Sequence, residues 1–156
     1  MSPNLKAFLD TIAWSEIGPK LLEISDDGYD VLVGSTVQDP HLFAPYDYHP
    51  AKMIYLPKLN VWSTAAGRYQ ILARYYKPYK ILLGLKGFWP EDQDAIAIQM
   101  IKEQHGLEPI EEGDFATAVE RVHNIWASLP GAGYNQHENR LAALQEAYED
   151  AGGTVA

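Results

Sequence analysis

An apolar stripe at Leu5, Phe8, Leu9 and Ile12 runs directly into Ala13-Trp14-Ser15-Glu16 and stops at Gly18-Pro19. The i, i+3, i+4, i+7 spacing predicts an amphipathic helix, with Ser2 as N-cap and Pro3 at its first position. The Gly-Pro pair ends it near Glu16 or Ile17. A helix buried along one face but ending on a carboxylate constrains the rest of the chain. The core must close over Phe8 and Ile12 while the protein accommodates an acid beside Trp14.

A carboxylate in the last helical turn faces the negative end of the helix dipole. A neighbouring tryptophan and a cleft wall would remove water from it, and both effects favour the protonated form. Such a group can act as a general acid near neutral pH, because it still holds its proton when a leaving oxygen needs one. Position alone also fits an exposed helix-end glutamate.

The 156 residues suit one domain spanning 1–156, large enough for a single core with a cleft. No apolar run approaches the roughly 20 residues that cross a bilayer, so direct membrane insertion is not expected. The absence of cysteine excludes disulfides, thiolate metal sites and a cysteine nucleophile. Met1-Ser2-Pro3-Asn4-Leu5-Lys6 lacks the pattern of a signal peptide, which predicts accumulation in the cytoplasm. His41, His49, His105, His123 and His137 have no metal-ligand spacing, and no nucleotide-binding fingerprint occurs, so neither metal nor cofactor is expected.

The net charge of −9 argues against a nucleic-acid partner. Its distribution is uneven. Between Tyr48 and Pro90 there is no Asp or Glu, while Lys52, Lys58, Arg68, Arg74, Lys77, Lys80 and Lys86 all lie there. This is either a solvated face or a positive wall for an anionic polymer.

Along the chain, Asp26-Asp27-Gly28 reads as a turn leading into a short β run at Tyr29–Gly34, a hairpin or small three-stranded sheet. Gln38–Trp62, with Pro40, Pro45, Pro50 and Pro57, reads as a long loop. Ser63 or Thr64 is a candidate cap for a helix through Tyr69, Ile71, Leu72 and Tyr75, bent or restarted at Pro78. Further helices are predicted from Pro90 to Gly106, from Gly113-Asp114 through Val122, and from Glu138 to Asp150, stopped by Gly152-Gly153. The class is α+β, helices around one core with a small early β element.

Two further stretches carry polar groups suited to sugars. In Ser63-Thr64-Ala65-Ala66-Gly67-Arg68-Tyr69-Gln70 small residues permit close backbone approach, a tyrosine offers a ring to stack, and an amide both donates and accepts. Gly131-Ala132-Gly133-Tyr134-Asn135-Gln136-His137 reads as a polar, glycine-rich loop. Aromatic side chains are plentiful from Phe43 to Trp62 and suit a saccharide groove as well as a core.

Taken together, Ala13-Trp14-Ser15-Glu16, Gly28-Tyr29-Asp30-Val31, Ala66-Gly67-Arg68-Tyr69-Gln70, Gln93-Asp94-Ala95, Asn124 through Tyr134 and Ala151-Gly152-Gly153-Thr154-Val155 resemble the lambda-phage endolysin family, a branch of the lysozyme-like superfamily, over nearly the whole chain. The resemblance implies a lysozyme-like fold and a lytic transglycosylase. Such an enzyme cleaves the β-1,4 bond between N-acetylmuramic acid and N-acetylglucosamine in peptidoglycan and leaves a 1,6-anhydro end. It implies Glu16 as sole catalytic acid/base. Tyr29, Asp30, Ser63, Arg68, Tyr69, Gln70, Tyr134 and His137 are then expected at the substrate, with two mobile lips around Asp47–Trp62 and Gly131–Glu138 bordering the cleft. Lys52, Lys58 and Arg68 become candidates for contacts to the carboxylates of wall peptides. Likeness to this family also implies a monomer held in the host cytoplasm until a holin releases it to the periplasm and wall. A hydrolytic muramidase on the same scaffold, using water and Asp30, and a noncatalytic glycan-binding virion protein are the competing readings.

Overall fold

A computed structural model of the protein describes residues 1–133 and 138–156. The chain divides into two compact units, one formed by Met1–Glu16 with Ala97–Ala156, the other by Ile17–Ile96.

The first unit is helical. α1 (Pro3–Glu16) begins as its sequence predicts, with Leu5 N–H donating to Ser2 Oγ at 3.1 Å, and its stripe Leu5, Phe8, Leu9 and Ile12 is buried. Packed with it are α5 (Leu107–Glu112), α6 (Phe115–Val122) and α7 (Leu141–Asp150). Phe8, Phe115 and Tyr148 form the aromatic centre, with ring centroids 4.7 to 6.5 Å apart, and edge-on contacts join Phe8 to the other two. Asn4 ties the ends together: its Nδ2 donates to the Ile110 carbonyl at 3.1 Å and its Oδ1 accepts from Thr154 N–H at 3.0 Å. Asp114 caps α6 by accepting from Thr117 N–H. Gly152 and Gly153 close α7, where a Cβ on Gly153 would lie 2.3 Å from the Tyr148 ring.

The second unit holds α2 (Pro19–Ile24), the antiparallel pair β1 (Ile54–Leu56) and β2 (Val61–Ser63), α3 (Ala73–Leu83) and the first half of α4 (Pro90–Glu103). The strands pair Ile54 with Ser63, Tyr55 with Trp62 and Leu56 with Val61. At its centre lies Gln93, whose side chain is fully buried. Its Oε1 accepts from Arg68 N–H at 2.9 Å, and its Nε2 donates to the carbonyls of Phe88 (2.9 Å) and Tyr29 (3.0 Å).

Several local expectations are corrected. Tyr29–Gly34 forms only isolated bridges, Val31 with Leu42 and Leu32 with Ala66, and the regular hairpin lies inside the segment expected to be loop. The turn Pro57-Lys58-Leu59-Asn60, with Asn60 at φ 51°, reverses the chain there, and the strands it joins have only three residues each, too short for a period-2 pattern to stand out among the prolines. The helix expected from Ser63 or Thr64 starts at Ala73 instead; Thr64 Oγ1 accepts from Ala73 N–H at 3.0 Å across the intervening turn. α3 continues through Pro78, where a bend or restart is expected. Gly18-Pro19 starts α2 as well as ending α1, since proline suits the first helical turn. The left-handed residue after α4 is His105 (φ 59°), and Gly106 leads into α5, an element with no sequence signal of its own.

Candidate functional site

Glu16 is the last residue of α1, half-buried, where the helix dipole and the loss of water both oppose a charge. Burial pushes its pKa from an ordinary 4.5 to about 7, the hydrogen bonds from Ser128 pulling it partly back. Ser128 Oγ donates to Glu16 Oε1 at 3.1 Å. Ser15 Oγ lies 2.7 Å from Ser128 Oγ and accepts from Asn139 Nδ2 at 2.9 Å. Once Ser128 donates to the carboxyl, Ser15 must donate to Ser128, because each hydroxyl has one proton. The chain Asn139, Ser15, Ser128, Glu16 is therefore polarised in one direction. It fixes Glu16 Oε1 as an acceptor, beside the bond that the Ser128 backbone also gives the carboxyl.

Asn139 is held in turn by its own N–H, which donates to the Ser128 carbonyl at 2.8 Å. The loop between these residues is pinned at its described ends. Glu138 accepts from Gly131 N–H and Gly133 N–H, each at 3.1 Å, and these bonds hold its pKa below the ordinary carboxylate value. Glu16 and Glu138 thus have opposite environments: one retains a proton, the other is fixed as an anion.

Substitution of Ser128 by alanine is expected to raise the pKa of Glu16 further, since the hydroxyl's bond favours the charged form. The high-pH limb of the activity profile should move upward while turnover falls about tenfold, as the carboxyl loses its fixed orientation. A pH profile of catalytic activity checks this, and a limb displaced to lower pH would contradict it.

In the second unit the expected substrate residues separate into two kinds. Tyr29, Arg68 and Tyr69 are gathered around Asp94. The hydroxyls of Tyr69 (2.6 Å) and Tyr29 (2.9 Å) both donate to Asp94 Oδ1, and Arg68 Nη1 donates to Tyr69 Oη at 3.1 Å. The guanidinium sits 5.3 and 5.6 Å from the two ring centroids and also reaches the Asp27 carbonyl (Nε, 3.0 Å) and carboxylate (3.6 Å). Tyr69 is only 1% exposed and Arg68 5%. The expectation that Tyr69 offers a ring to a sugar, and that Arg68 belongs to an open positive wall, is therefore corrected. Both are buried supports of the unit, and burial pushes the hydroxyl pKa values of Tyr29 and Tyr69 upward.

Tyr29 remains half-buried and so retains some open surface. Gln70 stands at φ 50°, with its Nε2 donating to the Gly67 carbonyl at 2.9 Å and to that of Val31 at 3.3 Å, which leaves its side-chain oxygen for a ligand. Asp30 Oδ1 accepts from Asp26 N–H at 2.9 Å and closes the turn before Tyr29. Ser63, at the end of β2, accepts from Ala65 N–H at 3.2 Å. Lys52 and Lys58 are exposed near the hairpin. Tyr134 and His137 lie outside the described residues.

Ser15, Ser128 and Asn139 are functional candidates that sequence reasoning did not single out. Ser128 lies 112 residues from Glu16, so no local spacing links them. Gln93, marked in the sequence only within a matching segment, and Asp94, marked there and as a helix-start acid, organise the second unit.

The architecture belongs to the lysozyme-like class. The chain superposes on the lysozyme of bacteriophage lambda with a TM-score of 0.86, and on the same enzyme solved with a chitohexasaccharide with a TM-score of 0.90; each comparison has 45% identity and covers 100% of this chain and 98% of the other. A family model described as Endolysin matches residues 6–155. The endolysin of Escherichia phage lambda is 49% identical over 152 residues, covering 96% of this chain and 92% of the relative. That of Escherichia phage P2 is 40% identical over 159 residues, covering 98% and 95%. The chain belongs to the endolysin family, lysozyme-like phage enzymes that degrade the bacterial cell wall.

Proposed function

We propose that the protein is a lytic transglycosylase of peptidoglycan in which Glu16 is the only acid/base. The observation that carries this reading is the glutamate at the end of α1, whose carboxyl holds a proton to about pH 7 and is oriented by Ser128. Glu16 protonates the glycosidic oxygen between N-acetylmuramic acid and N-acetylglucosamine, and the C1–O bond breaks. The resulting carboxylate removes the proton from the muramoyl C6 hydroxyl as that oxygen attacks C1. The 1,6-anhydro ring closes and Glu16 regains its proton, so the cycle consumes no water and needs no second carboxylate. A glycan ligand is supported by the relative solved with a chitohexasaccharide. Tyr29, Gln70 and Ser63 are the described residues we assign to the sugar, with Lys52 and Lys58 toward the wall-peptide carboxylates. With this reading go a single catalytic domain, accumulation in the host cytoplasm, and holin-dependent release of a monomer to the wall.

Mass spectrometry of muropeptides from purified sacculi tests the reaction. An anhydro product one water lighter than the hydrolytic one is expected. A reducing muramic end would replace the proposal by a hydrolase, with Asp30 the first carboxylate to examine.

The raised pKa sets a pH dependence with a definite sign. Glu16 must enter the reaction protonated, so kcat/KM should be level below about pH 7 and fall roughly tenfold per pH unit above it. Stability follows the same direction. A folded-state pKa above the unfolded value contributes stability that is fully present below pH 4.5 and is lost as the pH rises through about 7. Glu16→Gln should therefore unfold at a higher urea concentration than the parent at pH 8.5, while at pH 4 the two should match.

A further inference from the structure

The acid-free segment carries a helix face that the glycan chemistry does not use. α3 exposes Arg74, Tyr75, Lys77, Pro78, Ile81 and Leu82, and buries Tyr76 on its other side. At about 100° per residue the six exposed positions fall within an arc of roughly 160°. Ile81 is 72% exposed and Leu82 62%, the most open of the chain's aliphatic β- and γ-branched residues. Lys80 is half-exposed at the flank, and Lys86 is exposed just beyond the left-handed cap at Gly84. The Arg74 guanidinium lies 5.0 Å from the Tyr75 ring centroid, so this cation and this aromatic ring are presented together. No Asp or Glu occurs from 49 to 89, in a protein whose net charge is −9.

A polyanion alone would match the lysines and arginine but would leave Ile81 and Leu82 in water. An apolar protein surface would match the aliphatic pair but would strip water from several cations without neutralising them. The headgroup layer of an anionic bilayer meets both requirements. Apolar side chains sink to the acyl boundary while Lys and Arg stems extend back to the lipid phosphates. No helix among the described residues is long and apolar enough to cross a membrane, and α3, about 16 Å long, is suited to lying in the interface plane.

We propose that the outer face of α3 is a peripheral docking surface for bilayers containing anionic phospholipids. Binding is reversible and salt-sensitive, because few apolar side chains enter the bilayer and the charge attraction is screened. The proposal is independent of Glu16.

The test is cosedimentation of the whole protein with vesicles of phosphatidylethanolamine and phosphatidylglycerol, against vesicles of phosphatidylcholine alone. Two double variants are compared with the parent, Lys77→Gln with Lys80→Gln, and Ile81→Ser with Leu82→Ser. Thermal melts and activity on purified sacculi verify that both remain folded. The parent is expected to bind the anionic vesicles and not the neutral ones. The lysine pair should weaken binding by about fivefold per charge removed, and the aliphatic pair by about tenfold or more, with sacculus degradation unchanged. Failure to bind anionic vesicles at low salt would overturn the proposal, as would undiminished binding by the Ile81/Leu82 variant. So would dimerisation of the parent that the Ile81/Leu82 variant abolishes, since the face would then belong to a second copy. Loss of sacculus retention in either variant would assign the face to the wall polymer instead.

Discussion

Glu16→Gln is expected to lower turnover on purified sacculi by roughly 10³- to 10⁴-fold, the upper range for loss of a positioned general acid. The amide is nearly isosteric with the protonated carboxyl and its oxygen can still accept from Ser128 Oγ, so the end of α1 has no reason to rearrange. It cannot transfer a proton at either stage of the reaction. Both the departure of the leaving sugar and the activation of the C6 hydroxyl fail together, which is why one substitution removes nearly all activity. Sedimentation of the inactive variant with sacculi should match the parent, because the sugar contacts assigned to the second unit are untouched. A variant retaining more than about a tenth of parental turnover would show that proton transfer is shared with another group, and the single-acid mechanism would have to be given up. If sacculus binding were lost along with turnover, Glu16 would be a binding residue rather than an acid.

The elements most legible in the sequence were those with strong local signals. α1 follows from its stripe, its Ser2 cap and its Gly-Pro stop, and α4, α6 and α7 follow from the same kind of reasoning. The raised pKa of Glu16 follows from helix-end position and burial, both foreseeable. Tertiary bonds were not legible. Nothing in the spacing of Ser15, Ser128 and Asn139 announces a polarised chain of hydroxyls, because its links span 112 to 124 residues. The sequence also suggests a ligand role for Tyr69, as a ring beside a backbone that small residues let come close, and for Arg68, as part of a positive wall; packing against Asp94 and Tyr29 makes both internal. The hairpin was missed because its strands are short and lie among prolines. Regular structure there depends on the Asn60 turn and cross-strand pairing of Tyr55 with Trp62, whose rings lie 5.3 Å apart.

Gln93→Leu is expected to have the largest effect on stability, about 3–5 kcal/mol by urea denaturation. The substitution preserves volume approximately but removes every hydrogen bond of a side chain with no exposure to solvent. Arg68 N–H loses its acceptor, and the carbonyls of Tyr29 and Phe88 lose a donor. Each buried group left unpaired costs on the order of 1–3 kcal/mol, a large part of the 5–15 kcal/mol that holds a domain folded. Gly67 offers a way to separate this loss from ordinary core damage. It stands at φ 84°, and a Cβ there would lie 2.2 Å from Gln93 Oε1. Gly67→Ala alone should therefore destabilise through both backbone strain and collision with the amide. In the background of Gln93→Ala the collision with the amide is gone, leaving the backbone strain of about 1 kcal/mol and a tight 3.1 Å approach to Phe88 Cε2, so the double variant should be more stable than the sum of the single losses predicts. Strict additivity would mean that the glycine is required by its conformation alone. A loss below about 1 kcal/mol for Gln93→Leu would mean that water replaces the amide, and Gln93 would no longer be the organising residue of this unit.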